Sequence, residues 1–265
     1  MAVFSQKVIW ITGASSGIGE AVAIELAKQN PKLILSARRM DELQRVAAQL
    51  NLPETDVLVL PMDMTDVKSL PTHVEAVRQR FGRIDYVFQN AGITQRSTVV
   101  DTDFSVYQRL MDVNFFGVVA LTKAVLPLML AQGSGHFVVT SSVAGKLGTK
   151  QRSGYCASKH ALHGFFDALR AETYDAGLRV TLVCPGYIRT PISLHALGAD
   201  GQVHNKMDTN QEQGMAVGVF AQRLLKAVAN AKEEVYIGST EIYGIYLKRF
   251  LPNLLSRILR KREGA

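Results

Sequence analysis

Tyr155 and Lys159 are the residues in this sequence whose types and spacing best suit acid/base chemistry. They begin and end the segment Tyr-Cys-Ala-Ser-Lys, and a separation of four places both side chains on one face of a helix. A phenol with its ordinary pKa of about 10 is too weak an acid for proton transfer at neutral pH, and a nearby ammonium lowers that pKa. Tyr155 is therefore a candidate general acid/base tuned by Lys159. The spacing alone is weak evidence, because it is common in helices that have no such function.

Hydroxyl and amide side chains stand at the ends of two predicted strands and in one helix. Ser141 and Ser142 end the strand before this pair, and a hydroxyl there could hydrogen-bond a substrate oxygen. The segment Asn90-Ala91-Gly92 ends an earlier strand. Asn114 lies among apolar residues of a long predicted helix, where a buried amide needs a hydrogen-bond partner. Asn114 is thus either a site residue or an ordinary satisfied core amide.

A glycine-rich loop follows the first apolar strand and begins the first helical segment. Its sequence is Thr-Gly-Ala-Ser-Ser-Gly-Ile-Gly, residues 12–19. Glycines let the backbone approach a pyrophosphate, and the helix N-terminus supplies unpaired N–H groups and the positive end of a dipole. The spacing differs from the G-x-G-x-x-G fingerprint, so a simple strand–helix turn is the alternative interpretation. The candidate cofactor contacts in this loop are Gly13, Ser15, Ser16, Gly17, Ile18 and Gly19.

The end of the second predicted strand bears on which dinucleotide binds. An NAD site uses a carboxylate there for the ribose 2′-hydroxyl, whereas an NADP site uses a cation for the 2′-phosphate. Ala37 is uncharged and is followed by Arg38 and Arg39. A guanidinium can stack on adenine and pair with phosphate. The sequence therefore predicts NADP(H) as the cofactor, with a solvated basic turn as the alternative.

Apolar runs of strand length alternate with segments of helical period along the chain. The predicted strands are Lys7–Thr12, Lys32–Ala37, Val57–Pro61, Ile84–Gln89, His136–Ser141, Leu178–Cys184 and Val235–Ile237. The predicted helices are Ile18–Gln29, Asp41–Leu50, Pro71–Phe81, Phe104–Leu130, Ser153–Ala176 and Val217–Ala231. This alternation predicts an α/β fold, a doubly wound parallel sheet with helices on both faces. The polar segment Thr190–Gly214 interrupts the pattern and is long enough to be a lid.

Composition and charge exclude several classes of protein. With 47% hydrophobic and 20% charged residues, the chain can form a normal globular core, so global disorder is excluded. The net charge is +7, but six basic residues fall in 241–265, so the body is only mildly basic and nucleic-acid binding is not indicated. Cys156 and Cys184 lack metal-ligand or disulfide spacing, which predicts no metal site and a reducing compartment. We see neither a signal-peptide pattern nor an apolar run of the roughly 18 residues that a membrane helix needs, which predicts a cytoplasmic protein.

Taken together, these motifs resemble the short-chain dehydrogenase/reductase superfamily over residues 7 to about 237. The matching segments are TGASSGIG (12–19), Asp63, NAG (90–92), Asn114, TSS (140–142), YCASK (155–159) and PGYIRT (185–190). The resemblance implies a Rossmann-type sheet of about seven strands in the order 3-2-1-4-5-6-7. It also implies a catalytic tetrad of Asn114, Ser142, Tyr155 and Lys159. Ser142 is preferred to Ser141 because it precedes the tyrosine by the family's usual thirteen positions.

The resemblance implies a role for each of these residues. Ser142 and Tyr155 hydrogen-bond the oxygen of a carbonyl that receives a hydride from NADPH, and Tyr155 supplies the proton. Lys159 lowers the Tyr155 pKa and orients the cofactor ribose, and Asn114 holds a water of the proton relay. Further cofactor contacts are implied for Asp63 at the adenine, for Asn90, Ala91 and Gly92, and for Pro185, Gly186, Ile188 and Thr190. The sequence departs from many NADP-dependent members at Ser16, where they carry Arg or Lys, which places more weight on Arg38.

The second half resembles a branch near the hydroxysteroid dehydrogenases that includes acyl-dihydroxyacetone-phosphate reductases. Those proteins carry an N-terminal anchor, and the first residues of this sequence do not show one. The branch implies a lipophilic ketone or aldehyde as substrate. Two alternatives are oxidation of an alcohol or hydroxysteroid in vivo, and a non-catalytic module that senses the dinucleotide. An intact tetrad argues against the second.

The sequence also predicts how the chain is divided and what it contacts. Residues 1–240 are assigned to the Rossmann domain and 241–265 to a basic amphipathic tail. On a helix, the tail places its apolar residues on one face and its arginines on another; the apolar residues are Leu247, Phe250, Leu251, Leu254 and Ile258. Such a tail, residues 241–262, either contacts an anionic membrane surface or packs on the protein or its partner subunit. In the family, the two longest helices pair across a two-fold axis, which implies a homodimer or homotetramer.

Overall fold

The core of the protein is one sheet of seven strands. They are β1 (Val8–Thr12), β2 (Lys32–Ser36), β3 (Val57–Val59), β4 (Tyr86–Gln89), β5 (Gly135–Thr140), β6 (Leu178–Pro185) and β7 (Glu234–Ile237). In the computed structural model, which describes residues 3–261, all neighbouring strands pair in parallel, in the order β3-β2-β1-β4-β5-β6-β7. This confirms the predicted fold class and strand order. The order in which strands are added to the sheet reverses between β1 and β4, and the carboxyl ends of these two strands flank the crevice in which α/β sheets of this kind bind ligands.

Helices cover both faces of the sheet. They are α1 (Gly17–Ala27), α2 (Met40–Gln49), α3 (Leu70–Phe81), α4 (Phe104–Met111), α5 (Gly117–Gln132), α6 (Ser153–Thr173), α7 (Thr209–Glu212), α8 (Val217–Ala229), α9 (Tyr243–Phe250) and α10 (Pro252–Lys261). The sequence placed the ends of two helices too late: α6 ends at Thr173 and α8 at Ala229. After α6 the chain turns through Gly177, whose φ of +83° is a conformation that glycine enters without strain.

Strand β1 shows why the central strands are apolar along their whole length. All five of its residues are buried. Ile9 and Ile11 pack into the core on one face of the sheet, and Val8 and Trp10 pack into the core on the other. Successive side chains of a strand point to opposite faces, and both faces here lie under helices, so neither face can be polar. Burial of each large side chain contributes roughly 1.5–3 kcal/mol.

The long helix predicted over Phe104–Leu130 is interrupted. A π-helical turn, Asp112–Phe116, joins α4 to α5, and turns of this type are rare and often occur at functional sites. Counted through that turn, the helix spans 29 residues, Phe104–Gln132, and is long and apolar enough, by length and composition alone, to cross a membrane. The expectation that no such segment exists is therefore wrong. In this structure Leu121 and Val125 of α5 pack into the core against the sheet.

The predicted lid, Thr190–Gly214, lies against the body of the protein. It contains a 3₁₀ turn, Pro191–Ser193, and the short helix α7. Isolated backbone bridges join Gln95 to Leu197 and Ile188 to Met215. The first bridge ties the lid to the loop after β4, and the second joins the two residues that flank the lid.

The predicted tail forms α9 and α10. Pro252 is the first residue of α10, as expected for a residue whose missing N–H is not needed there. Ile245 and Leu255 are buried against Leu147 of the body. Arg262, which the sequence includes in the tail, lies outside the described residues. The division of the chain at residue 240 stays a prediction.

Candidate active site

A cavity of about 740 Å³ lies where the strands end. Residues at the carboxyl ends of five strands line it, namely Thr12, Ser36, Asn90, Thr140 and Pro185. One end of the cavity is formed by the glycine loop and the end of β2, and we call it the dinucleotide end. The other is formed by the residues around Tyr155, the lid and the two C-terminal helices, and we call it the substrate end.

The glycine loop has a conformation and a tightness that only glycine permits. Gly13 and Gly17 have φ values of +66° and +58°. A Cβ atom at Gly19 would overlap the carbonyl oxygen of Gly13. Ser16 precedes α1 without capping it through its side chain, so the first N–H groups of that helix stay available to an anion. The sequence-predicted contacts Ser15, Ile18 and the loop glycines Gly13 and Gly17 all line the cavity.

The loop is fastened to the end of β4. The hydroxyl of Thr12 accepts hydrogen bonds from the backbone N–H groups of Asn90 and Ala91, both at 3.1 Å. The Asn90 amide donates to the carbonyl oxygen of Gly13 at 3.4 Å. A Cβ at Gly13 would lie 2.9 Å from the Cα of Ala91, so the two loops touch through backbone. Two segments 77 residues apart are thereby held as one surface.

The end of β2 adds charge to this surface. Arg38 and Arg39 are exposed, and both line the cavity together with Asp63. Burial acts to raise the pKa of Asp63, but hydrogen bonds from Thr65 and the charge of Arg38 outweigh it and lower that pKa. The glycine cradle and the guanidinium groups of Arg38 and Arg39 line the same cavity, and this combination fits a nicotinamide dinucleotide.

Ser142, Tyr155 and Lys159 meet in the middle of the cavity. Tyr155 is buried, with 9% of its surface exposed. The expected lowering of the Tyr155 pKa by Lys159 is not found: burial raises that pKa, against a hydrogen bond from Ser142 and the charge of Arg152. The Lys159 ammonium instead donates to the carbonyl oxygen of Thr140 at 2.8 Å and lies 5.9 Å from the centre of the Tyr155 ring.

The position of Lys159 disfavours the charged form of its side chain. Burial lowers its pKa from 10.5 to about 8. The hydrogen bond to Thr140 satisfies one of its three donors. Lys159 therefore stays mostly protonated at neutral pH, close to its titration point.

The two neighbouring serines have different surroundings. Ser142 precedes the 3₁₀ turn Val143–Gly145 and accepts the N–H of Ala144 at 3.1 Å, which leaves its O–H free to donate. Ser141 is 2% exposed, and its hydroxyl contacts the Lys159 carbonyl oxygen at 3.2 Å and His163 Nε2 at 2.9 Å. The hydroxyl that interacts with Tyr155 is that of Ser142.

Asn114 is fully buried in the π-helical turn and is satisfied by the protein. Its amide donates to the Ile93 carbonyl oxygen at 2.9 Å and to the Ser158 hydroxyl at 3.0 Å, and its Oδ1 accepts the Ile93 N–H at 2.8 Å. A Cβ at Gly92 would lie 3.2 Å from Asn114 Oδ1 and 3.3 Å from Lys159 Nζ. Gly92 therefore lies close to both the amide and the ammonium, and a larger residue there would crowd them.

The remaining sequence-predicted cofactor contacts follow β6. Pro185, Gly186, Ile188 and Thr190 line the cavity. Thr190 faces Gly17, where an added Cβ would be 3.2 Å from the threonine side chain. Gln211 of α7 donates to the Ile188 carbonyl oxygen and to the Thr190 hydroxyl, and so holds this segment in place.

Sequence reasoning missed three charged residues of the substrate end. Arg96 and Arg152 both donate to Asp208 of the lid, at 2.5 and 2.7 Å, and the two arginines line the cavity. Asp208 also caps α7 by accepting the N–H of Asn210. The pattern Asp-Thr-Asn-Gln-Glu signals such a cap, but nothing local to it signals a partner 112 residues away.

Sequence reasoning also missed the apolar wall of the substrate end. Five residues form it, four of them from the C-terminal helices: Leu147, Leu247, Leu255, Ile258 and Leu259. The prediction of one continuous apolar face on the tail is wrong, because the chain breaks at Leu251 and begins a new helix at Pro252. Leu247 turns inward, whereas Phe250 and Leu254 stay exposed.

Two cysteines and the acidic and histidine residues form no metal site in the part of the chain that is described. Within residues 3–261, no group of three or more His, Cys, Asp or Glu side chains is arranged to hold an ion. Cys156 and Cys184 are free thiols and are buried. Burial raises the pKa of Cys184 to about 12, so its thiol is protonated at neutral pH.

Comparison with known proteins gives consistent matches. The family described as short chain dehydrogenase matches residues 7–197. Dehydrogenase/reductase SDR family member 7 of Homo sapiens is 42% identical over 257 residues, covering 94% of this chain and 75% of that protein. Dehydrogenase/reductase SDR family protein 7-like of Drosophila melanogaster is 40% identical, covering 97% of this chain and 80% of that protein.

Solved structures share the fold over nearly the full length. Levodione reductase superposes with a TM-score of 0.78 at 26% identity, covering 91% of this chain and 99% of that one. A short chain dehydrogenase/reductase from Burkholderia phymatum, in complex with NAD, superposes with a TM-score of 0.83 at 24% identity, covering 100% of this chain and 98% of that one. At that identity the second match shows the fold alone.

Proposed function

The chain belongs to the short-chain dehydrogenase/reductase family of oxidoreductases, and from this premise we propose that it reduces a lipophilic ketone or aldehyde with NADPH. The observation that carries the proposal is the meeting of Ser142, Tyr155 and Lys159 in one cavity with the glycine loop. A bound nicotinamide dinucleotide would supply the hydride. The residues of the chain must then bind and orient the carbonyl and provide the proton.

We assign the proton transfer to Tyr155. The Tyr155 pKa is raised by burial, so the phenol stays protonated at neutral pH, which is the form that a reductase needs. The Ser142 hydroxyl accepts the Ala144 N–H, and its own O–H, which interacts with Tyr155, can donate to the same carbonyl oxygen when a substrate is bound. Two donors on one oxygen stabilise the negative charge that develops there and orient the carbonyl.

We propose that Lys159 and Asn114 assist the proton transfer by Tyr155. Asn114 Oδ1 and Lys159 Nζ both lie within 3.3 Å of the point that a Cβ at Gly92 would occupy, so the two groups face the same place and one water could hydrogen-bond both. With its pKa lowered to about 8, Lys159 can return a proton toward Tyr155 through such a water after each turnover. We propose that Asn114 holds this water through Oδ1, since its amide hydrogens are engaged with Ile93 and Ser158.

The preference for NADPH rests on Arg38 and Arg39. Both are exposed at the end of β2, and Ala37 before them offers no carboxylate to a ribose hydroxyl. The test is Arg38→Asp, with kcat/KM measured for NADPH and for NADH. Hydrogen bonds to a charged group are worth about 1.5–3 kcal/mol. We therefore expect the ratio of kcat/KM for NADPH to that for NADH to fall roughly tenfold to a hundredfold. A wild-type protein that already prefers NADH would overturn the cofactor assignment.

The lipophilic substrate is supported by the apolar wall of the substrate end. Leu147, Leu255 and Leu259 face the cavity, and burial of apolar substrate surface there would contribute about 25 cal/mol per Å². The test is NADPH oxidation across steroids, retinals, acyl ketones and quinones, with small diketones included. Turnover of long-chain or ring compounds well above the small ones is expected.

The same assay separates the alternatives. Oxidation of the product alcohol with NADP⁺ that outpaces reduction at physiological cofactor ratios would favour an alcohol or hydroxysteroid dehydrogenase. Tight cofactor binding without turnover of any carbonyl would favour the non-catalytic sensing module. Turnover with NADPH on any carbonyl excludes that module.

Two exposed apolar surfaces support the proposed contacts with a partner subunit and with a membrane. On the long helices, Phe104, Phe116 and Leu130 are exposed, which supports a homodimer or homotetramer formed through them. A monomer mass in sedimentation at micromolar concentration would exclude that assembly.

The second surface lies on the C-terminal helices. Tyr243, Tyr246, Phe250, Leu251 and Leu254 are exposed there beside the basic residues of the tail, which supports peripheral contact with an anionic bilayer. The measurement is co-sedimentation with anionic liposomes at low and high salt, comparing the full chain with Phe250→Ser. Equal pelleting of the two proteins, or none of either, would assign this face to packing between subunits.

A further inference from the structure

Glu241 lines the cavity and carries a negative charge that the proposed proton transfer does not use. It lies in the 3₁₀ turn Thr240–Ile242, which follows β7. Its carboxylate contacts the chain just beyond β6, where Pro185 and Gly186 also line the cavity. Because β6 and β7 are neighbours in the sheet, the ends of the two strands hold this charge between them.

Backbone groups fix the position of the carboxylate. Its Oε1 atom accepts the N–H of Tyr187 at 2.8 Å and the N–H of Ser239 at 3.0 Å. A Cβ atom at Gly186 would lie 1.8 Å from the same oxygen, and a Cβ atom at Gly238 would lie 2.5 Å from it. A side chain at either glycine would therefore displace the carboxylate from the two N–H groups.

The proposed hydride transfer places the nicotinamide ring on this side of the cavity. The hydride passes directly to a carbonyl carbon whose oxygen is held by Ser142 and Tyr155, so the ring must lie beside those residues. Strands β5 and β6 are neighbours, and Thr140 pairs with Val183 near their carboxyl ends. Ser142 follows β5 and Gly186 follows β6, so both lie at adjacent strand ends. A ring beside Ser142 is therefore close to the carboxylate that contacts Gly186.

Glu241 is the source of negative charge on this side of the cavity. Among residues 3–261, Asp63 and Glu241 are the two acidic residues that line the cavity, and Asp63 lies at the dinucleotide end. The cations Arg152 and Lys159 line the cavity near Tyr155. Within the same described residues, the hydrogen bonds of Glu241 are to backbone N–H groups, so no side-chain cation is bonded to its charge.

We propose that Glu241 sets the relative affinity of the protein for the oxidised and reduced forms of its nicotinamide cofactor. The oxidised ring carries a positive charge that the reduced ring lacks, so a carboxylate nearby favours the oxidised form. The same positive charge develops on the ring as the hydride leaves, and the carboxylate stabilises it there as well. This inference rests on the proposed function, because the hydride transfer determines where the ring lies.

A purely structural role for Glu241 makes a different prediction. If the carboxylate only fastens the chain after β6 to the chain after β7, its loss affects the binding of both cofactor forms alike. If its charge acts on the ring, its loss changes the ratio of the two dissociation constants. Glu241→Gln separates these roles, because the amide oxygen can still accept both N–H groups while the charge is gone.

The experiment measures dissociation constants by calorimetry, with no carbonyl substrate present. NADP⁺ and NADPH are titrated into the wild type, Glu241→Gln and Glu212→Gln, and the titrations are repeated with NAD⁺ and NADH, which differ by the same ring charge. Glu212 is the matched control, because it is an exposed carboxylate of α7 that does not line the cavity. Gly186→Ala is an independent second variant, since its methyl group would displace the carboxylate without removing the charge.

We expect the dissociation constant of the oxidised form, divided by that of the reduced form, to rise roughly threefold to tenfold in Glu241→Gln. Gly186→Ala should change the ratio in the same direction, and Glu212→Gln should leave it unchanged. A ratio that neither Glu241→Gln nor Gly186→Ala alters overturns the inference, and so does a wild type that binds neither cofactor pair. Because no carbonyl is present, failure of the proposed reduction would appear as absent turnover and not as a change in this ratio.

Discussion

At the dinucleotide end of the cavity the contacts run mainly between backbone atoms, whereas at the substrate end they run between side chains from distant parts of the chain. Gly19 lies against the carbonyl of Gly13, six residues away, in a loop that one short motif specifies. Arg96 pairs with Asp208 across 112 residues, and Arg152 pairs with the same carboxylate across 56. Backbone geometry suits a ligand that is the same for every reaction, and side chains suit a ligand that varies. The following predictions test that contrast, in order of decreasing effect.

Loss of the Tyr155 hydroxyl should lower kcat while leaving NADPH affinity nearly unchanged, which distinguishes the two ends of the cavity most clearly. Tyr155→Phe keeps the ring and removes the proton donor, and general acid catalysis contributes about 10²–10⁴-fold, so kcat should fall by that factor. NADPH affinity, measured by fluorescence titration, should change by less than about twofold, because the glycine loop is untouched. Tyr86→Phe is the control, a tyrosine that is partly buried outside the cavity. A variant of Tyr155 with near-native kcat would remove this residue from the mechanism.

A single methyl group added at Gly19 should weaken NADPH binding at the dinucleotide end. Gly19→Ala forces a Cβ into the carbonyl oxygen of Gly13, so the loop must move away from the phosphate position. We expect NADPH affinity to fall by roughly a hundredfold, the effect of losing two charge-assisted hydrogen bonds. Gly164→Ala in α6 is the matched control, because an added Cβ there meets nothing within 4 Å. That control should stabilise the fold by about 0.5–1 kcal/mol, and similar NADPH affinities in the two variants would contradict the backbone cradle.

The buried ammonium of Lys159 should make stability depend on pH. Its folded-state pKa is about 8, below its ordinary value, so below pH 8 the charge is present in both states and its burial costs stability. Between about pH 8 and 10.4 the unfolded state binds more protons than the folded state, so the free energy of unfolding rises with pH. Lys159→Met should lose this rise, which is on the order of 2–3 kcal/mol. Denaturant unfolding of the wild type and of Lys159→Met at pH 7.5 and 10 measures this rise. The same change in the free energy of unfolding for both proteins would contradict the prediction.

The apolar wall should have the smallest and most selective effect. Leu255→Ala removes apolar contact from the substrate end, and a hydrophobic pocket discriminates by about 1–3 kcal/mol per methylene-sized change at most. We expect KM to rise severalfold for a long-chain carbonyl and to stay constant for a small diketone. Leu254→Ala on the exposed side of α10 is the control, since Leu254 is 44% exposed and does not line the cavity. Equal changes for both substrates would show that Leu255 only supports the fold.

The sequence anticipated the dinucleotide end because its information is local. The loop over residues 12–19 needs glycine at particular φ values, and the strand before it needs apolar residues on both faces, so each feature is visible in a short window. The alternation of strands and helices predicted a parallel sheet in the same way, whereas the strand order was implied by the family resemblance. The π-helical turn at Asn114 escaped detection, and the partners of its amide, Ile93 and Ser158, lie 21 and 44 residues away in the sequence.

By itself, then, the sequence indicated the parallel sheet, the glycine loop and the motif residues Ser142, Tyr155 and Lys159. Tertiary structure alone decided the burial, hydrogen bonds and ion pairs of the residues in the cavity. It placed the tyrosine where burial raises its pKa, turned the Lys159 ammonium toward Thr140, and brought two arginines onto one lid carboxylate. Motif spacing follows from the chain's own geometry, which repeats along every helix and strand. A pKa or an ion pair depends instead on which groups from elsewhere exclude water at that point, and that is settled only when the whole chain has packed.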